Sequence, residues 1–235
     1  MNLVEQLDNM WYKEFSKNWD DIIFRENILS KIDENSMVLD AGAGAGIIEH
    51  MNIKGYAKKV YGVDLDERVV DNPYLDKGFV ADAGNLPFED NVFDVVFSDN
   101  VLEHLEHPLE VFNEVYRVLK PGGYFLFKTP NKFHYMPLIA RCTPHKFHQF
   151  INKLRGRDEA DTFPTRYKAN SSKDIKNISA KAGFTESSIQ LIEGRPEYLR
   201  FNFLTYLVGI TYERIVNSAD FLKCFRVLIV GWVKK

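Results

Sequence analysis

Residues 38–46, Val38-Leu39-Asp40-Ala41-Gly42-Ala43-Gly44-Ala45-Gly46, run from a buried-strand pattern straight into three alternating glycines. A backbone that turns this tightly beside a ligand needs residues without a Cβ, and a helix starting there would offer unpaired N–H groups to polar ligand atoms. The spacing predicts a strand over Met37–Ala41, the loop, and then a helix over Gly44–Gly55. A tight turn with no ligand is the plain alternative, and two acids further along weigh against it. Asp64 closes the next apolar run, Lys58–Val63, 22 residues after Gly42, and Asp82 follows a third short run, Gly78–Ala81. In a parallel sheet these three strand ends share one edge. A carboxylate ending the second strand can accept both ribose hydroxyl hydrogens there, and a residue ending the third reaches the base. The third glycine comes one residue earlier than G-x-G-x-x-G requires, position 47 being Ile, and the nearest arginine after Asp64 is Arg68. Adenosine without a pyrophosphate fits that spacing better than a dinucleotide, which disfavours a nicotinamide dehydrogenase.

Working outward, short apolar runs alternate with helical patterns, as in a parallel sheet covered by helices. Asp66–Asp71 reads as a short helix and Phe93–Phe97 as a fourth strand. Pro108–Leu119 reads as a helix, and Gly123–Lys128 as a fifth strand after the turn Lys120-Pro121-Gly122. A helix over Ser171–Ala182 stopped by Gly183, a strand over Ser187–Ile192 and a last strand over Arg226–Val233 complete the pattern. We read one domain over 1–235: an N-terminal helical cap to 36, a cofactor-binding core over 37–128, an insertion at the acceptor side over 129–168, and a C-terminal part. The segment 198–219 within that last part is helical and aromatic-rich. Too many of its residues are apolar for one narrow helix face, so the protein's own sheet, a second copy in a homodimer, or a membrane surface must cover it.

The 235 residues are 45% hydrophobic with 30 basic and 33 acidic side chains, which excludes a disordered tail. A net charge of −3 gives no reason to expect nucleic acid as a partner. Two distant cysteines, Cys142 and Cys224, do not make a disulfide framework. The acidic, weakly apolar start does not read as a signal peptide, and the longest uncharged apolar stretch, Phe201–Tyr212, has 12 residues, too few to cross a bilayer. A cytoplasmic protein without a transmembrane span is the expectation.

Four consecutive motifs, VLDAGAGAG (38–46), VYGVDLDERV (60–69), ADAGNLPFEDNVFDVVFSDNVLEHLEHP (81–108) and EVYRVLKPGGYFLFKTPN (114–131), make the chain resemble the class I S-adenosylmethionine-dependent methyltransferases of the ubiquinone and menaquinone biosynthesis type. The resemblance implies an α/β Rossmann-like fold, with a seven-stranded, mostly parallel sheet in the order 3-2-1-4-5-7-6 and helices on both faces. It implies S-adenosyl-L-methionine as cofactor and S-adenosyl-L-homocysteine as product. Asp40, Gly42, Ala43, Gly44 and Gly46 would then lie along the methionine part, and Asp64 would hold the ribose. Asp82 and Ala83 would border the adenine, and Leu65 would pack on the purine face. Ser98 and Asn100 would flank the sulfonium and carboxylate end. The family often has Cys where Ala43 stands, a position that needs only a small side chain. Asp71-Asn72-Pro73-Tyr74 resembles a tetrapeptide that grips amino groups in DNA, but it follows the wrong strand and reads as a turn.

Methyl transfer from a sulfonium is an in-line displacement in which positioning dominates; a hydroxyl acceptor must in addition lose a proton, typically to a histidine. His104, just after the fourth strand, and His134, after the fifth, are the candidate bases, with a loop-holding role as the alternative for His104. Tyr135, His145 and His148 are further acceptor-side candidates. His145 and His148 lack a third ligand beyond Cys142, so no metal is expected. Residues 127–168 carry nine Lys or Arg against three Asp or Glu, a local +6 against −9 elsewhere. Such a lid would attract an anionic group, with Arg155, Arg157 and Arg166 placed to clamp it. The expected acceptor is therefore an oxygen of a small anionic, lipid-like or sugar-like metabolite, methylated by a monomer or homodimer. The alternative is a non-catalytic partner or sensor that binds S-adenosylmethionine.

Overall fold

The computed structural model describes residues 3–15, 18–142 and 164–235. Seven strands form one sheet in the order β3-β2-β1-β4-β5-β7-β6. They are β1 (Met37–Ala41), β2 (Lys59–Asp64), β3 (Lys77–Val80), β4 (Phe93–Asp99), β5 (Leu119–Pro130), β6 (Glu186–Ile192) and β7 (Leu228–Lys234). Strands β1 to β5 run parallel, and β7 is antiparallel to both β5 and β6. The expected sheet order and its mostly parallel sense are thus observed.

Side chains alternate across each strand, and in the central strands both sets are apolar, so each face needs a cover. Along β4, Val96 joins the core that includes Phe112 of α3 (Pro108–Val118) and Ile175 of α5 (Ser172–Ala182). Val95 and Phe97 join the opposite core with Trp19, Phe24 and Ile28 of α2 (Trp19–Leu29). Helix α3 begins on Pro108, where the missing N–H costs nothing. Helix α5 is capped by the Ser171 side chain and stopped by Gly183 at φ 102. A third, smaller cluster joins α1 (Leu3–Trp11) to α6 (Phe203–Ser218), where Tyr12, Tyr206 and Ile210 are buried. The Tyr12 hydroxyl donates to Glu213 Oε2 at 2.8 Å, and the Tyr206 hydroxyl donates to Asp8. Helix α6 therefore buries one side against α1, while Leu204, Val208 and Ile215 on its other side are exposed. Helix α4 (Tyr135–Cys142) follows β5.

One element departs from expectation. No α-helix follows the glycine loop; residues 44–55 run as irregular chain with a single 3-10 turn at Glu49–Met51. Ile47 and Ile48 are exposed, and of the whole stretch only Ile53 is fully buried, so no apolar stripe exists to hold a helix on the sheet. The expected helix at 66–71 is likewise a 3-10 segment, Glu67–Asp71. The turn at 120–122 lies within β5 as an irregularity: Phe93 pairs with Leu119, but Val95 pairs with Tyr124.

Candidate active site

The carboxyl ends of β1, β2 and β4 meet at the glycine loop. Gly42, Gly44 and Gly46 all have positive φ, 99°, 50° and 69°. A Cβ on Gly42 would stand 2.2 Å from Val101 Cγ2, and one on Gly46 2.3 Å from Asn72 Oδ1. A Cβ on Gly44 would meet nothing closer than Asp64 Oδ2 at 4.0 Å, so the middle of the loop is the open part. Gly42 N and Ala43 N donate to the Val63 carbonyl, which ties the loop to β2. The Asp64 carboxylate takes Gly44 N on Oδ2 at 2.8 Å and Asp66 N on Oδ1 at 2.9 Å. Each oxygen keeps a second lone pair for a ligand hydroxyl. Leu65, next along, is 72% exposed, a large apolar side chain without cover.

Asn72, read from the sequence as part of a plain turn, is buried and straps the loop from behind. Its Nδ2 donates to the carbonyls of Ala43 at 3.0 Å and Gly44 at 3.2 Å, and its Oδ1 accepts Tyr74 N. Asn72→Ala is expected to lower stability by about 1–3 kcal/mol, since two carbonyls lose their donor. Chemical denaturation and amide exchange at residues 43–46 read this directly, and unchanged exchange there would remove Asn72 from the loop's support.

Sheet alternation decides which β4 residues face the same way. Asp40 pairs with Phe97 in register, and Asp99 pairs with Lys128 of β5. Asp40, Asp99 and Lys128 therefore share the face that carries α2, and Ser98 is turned to the other face, where it is 2% exposed. Asp40 Oδ1 and Asp99 Oδ2 are buried and have no hydrogen-bond partner. Burial, with Asp99 and Asp64 close by, holds the Asp40 carboxyl well above the usual range. Burial also pushes the Asp99 carboxyl up to about 6, against the opposing pull of Lys128. Such a pair of carboxylates stabilises an arriving cation. Asn100 follows at φ 53, its N donating to the Lys128 carbonyl and its Nδ2 to Asp99 Oδ1. Asp82 lies two residues beyond the end of β3, exposed, with Oδ1 accepting Gly84 N; Ala83 is half-buried beside it.

The acceptor-side candidates divide. His104 Nδ1 lies 3.0 Å from the Pro164 carbonyl; a carbonyl only accepts, so Nδ1 carries the proton and Nε2 is the basic nitrogen. Burial lowers its pKa. The adjoining Glu103 carbonyl accepts Arg166 N and Tyr167 N, so this corner fastens the returning chain. His134 is 1% exposed, with its ring among Tyr135, Tyr198 and Tyr212 and its Nε2 unpartnered 3.9 Å from Glu193 Oε1. Arg166, expected to clamp an anion, is instead paired with Glu106 at 2.7 Å. His145, His148, Arg155 and Arg157 lie outside the described residues.

Burial pushes Glu193 from 4.5 up to about 8 and His134 from 6.5 down to about 3. Between pH 4.5 and 8 the folded protein therefore holds a proton on Glu193 that the unfolded chain has released, and stability falls as pH rises through that window. His134 acts oppositely, its stabilising effect fading as pH drops from 6.5 towards 3. Glu193→Gln should flatten the decline between pH 5 and 8.5 in denaturant titrations; a decline parallel to the parent's would contradict the burial effect.

The strand order and the strapped glycine loop define a Rossmann-like fold of the methyltransferase kind. Residues 39–127 match the family model of the methyltransferase domain. A probable S-adenosylmethionine-dependent methyltransferase of Mycolicibacterium smegmatis is 39% identical over 119 residues, 47% of this chain and 44% of that one. A demethylmenaquinone methyltransferase of Chlamydia trachomatis is 30% identical over 110 residues, 44% and 48% of the two chains. The chain thus spans less than half the length of either relative. The crystal structure of an S-adenosylmethionine-dependent methyltransferase from Archaeoglobus fulgidus superposes with a TM-score of 0.60 over the full length of both chains at 19% identity, a likeness of fold. Among the described residues no helix is long and apolar enough to cross a membrane.

Proposed function

We propose that the chain is an S-adenosylmethionine-dependent methyltransferase acting on an oxygen of a small anionic, lipid-like or sugar-like metabolite. The observation that carries this reading is the Asp64 carboxylate, held by Gly44 N and Asp66 N in front of the open middle of the glycine loop. The residues present fit S-adenosylmethionine: the lone pairs of Asp64 suit the ribose hydroxyls, exposed Leu65 suits the purine face, and the buried, unpartnered Asp40 Oδ1 suits the ammonium. Asp82 and Ala83 border the adenine, and Asn100 flanks the amino-acid end; Ser98, turned to the other face, stays out of contact. When bound, the cofactor supplies a methyl already activated on sulfonium. The protein then aligns the acceptor and excludes water. His104 Nε2 takes the acceptor proton, its tautomer fixed by Pro164.

Calorimetry with S-adenosylhomocysteine should show saturable binding at one site per chain, and its absence would overturn the reading. Binding without turnover on a panel of hydroxylated anions and lipids would favour the non-catalytic alternative.

A further inference from the structure

Lys128 lies in the middle of the sheet between Phe127 and Thr129 and is 0% exposed. A buried ammonium is costly unless every proton finds an acceptor. Here Nζ meets three carboxylates: Asp99 Oδ1 at 3.0 Å, Asp20 Oδ2 at 3.2 Å, and Asp21. Burial alone would push the lysine pKa down, but Asp99, Asp20 and Asp21 outweigh it and hold the ammonium charged. Asp20 and Asp21 occupy the first turn of α2, which lacks a side-chain cap, so carboxylates there also face the positive end of the helix. With all three of its protons engaged, Lys128 leaves Asp99 Oδ2 over, buried and without a partner. Asp99 lies on the face, and next to the strand, that presents the equally unpartnered Asp40 Oδ1. Lys128 thus holds Asp20, Asp21 and one oxygen of Asp99, and the two carboxyl oxygens left without a partner, Asp99 Oδ2 and Asp40 Oδ1, lie on neighbouring strands at the same face.

We infer that Lys128 is a positioning residue for the methyl donor: it fixes Asp99 by one oxygen so that the other receives the donor's ammonium beside Asp40. By gripping Asp20 and Asp21 together, it also makes the cap helix α2 part of the donor site. This rests on the methyltransferase reading above. The role is selective by construction, because it concerns the amino-acid end of the donor and leaves the adenosine end to Asp64 and the glycine loop.

The test compares two ligands by calorimetry: S-adenosylhomocysteine, which has the amino-acid end, and 5′-methylthioadenosine, which lacks it. Lys128→Met should weaken the first at least tenfold and change the second less than twofold. Equal weakening of both, or unchanged S-adenosylhomocysteine affinity, overturns the inference. If Lys128→Met does not fold, Asp99→Asn keeps the shape of the side chain and should give the same selective loss. In the parent protein S-adenosylhomocysteine should slow amide exchange along α2, and in Asp20→Asn/Asp21→Asn it should not; slowing that persists in the double variant overturns the coupling to the cap. A parent protein that binds neither ligand defeats the methyltransferase reading, and this inference with it.

Discussion

Asp64→Ala is expected to weaken S-adenosylhomocysteine binding ten- to a hundredfold in calorimetry, the largest effect of any single side chain at the adenosine end. A hydrogen bond to a charged group contributes about 1.5–3 kcal/mol net, and tenfold in affinity corresponds to about 1.4 kcal/mol, so even one lost ribose contact reaches the lower bound. The same carboxylate also holds Gly44 N and Asp66 N, so alanine loosens the loop as well. Asp64→Asn separates the two contributions: its amide oxygen can still take one backbone N–H, whereas the other oxygen becomes an NH2 group that donates and no longer accepts. An intermediate loss for asparagine follows. Unchanged affinity in Asp64→Ala would refute the ribose assignment.

Gly42→Ala should cost about 2–5 kcal/mol of folding stability and abolish measurable donor binding. A left-handed backbone costs an L-residue about 1–2 kcal/mol, and forcing extra atoms into a close-packed site about 1–3 kcal/mol. Both apply at Gly42, with φ 99 and Val101 Cγ2 2.2 Å from the added carbon. Adding Val101→Ala removes the clashing γ-carbons without touching the backbone, so the double variant should recover the steric share and keep the conformational one. If Gly42→Ala alone melts with the parent protein, the loop is not held as described.

The central strands were legible because β1 and β4 are largely apolar runs that carry Asp40 and Asp99 at or next to their carboxyl ends, a pattern that a sheet covered on both faces accommodates. The glycine loop and Asp64 were legible for the same local reason. The helix expected over 44–55 was not, because glycine spacing says where a loop must be but not whether enough buried side chains follow it. Asn72 and Lys128 escaped on other grounds. Asn72 acts on Ala43 and Gly44, 29 and 28 positions away, and Lys128 is neutralised by Asp20 and Asp21 across 108 and 107 positions. Neither partnership leaves a trace in local composition. Arg166 is the converse case: the local basic excess identified a charge, whereas Glu106 decides where that charge is spent.

The meeting of α1 with α6 fixes an order of events during synthesis. The segment of α1 and Tyr12 has its hydroxyl and carboxylate partners at Tyr206 and Glu213, synthesised some two hundred positions later. Helix α1 is therefore made long before its seat exists, and until α6 has followed Tyr12 has no place in the interior.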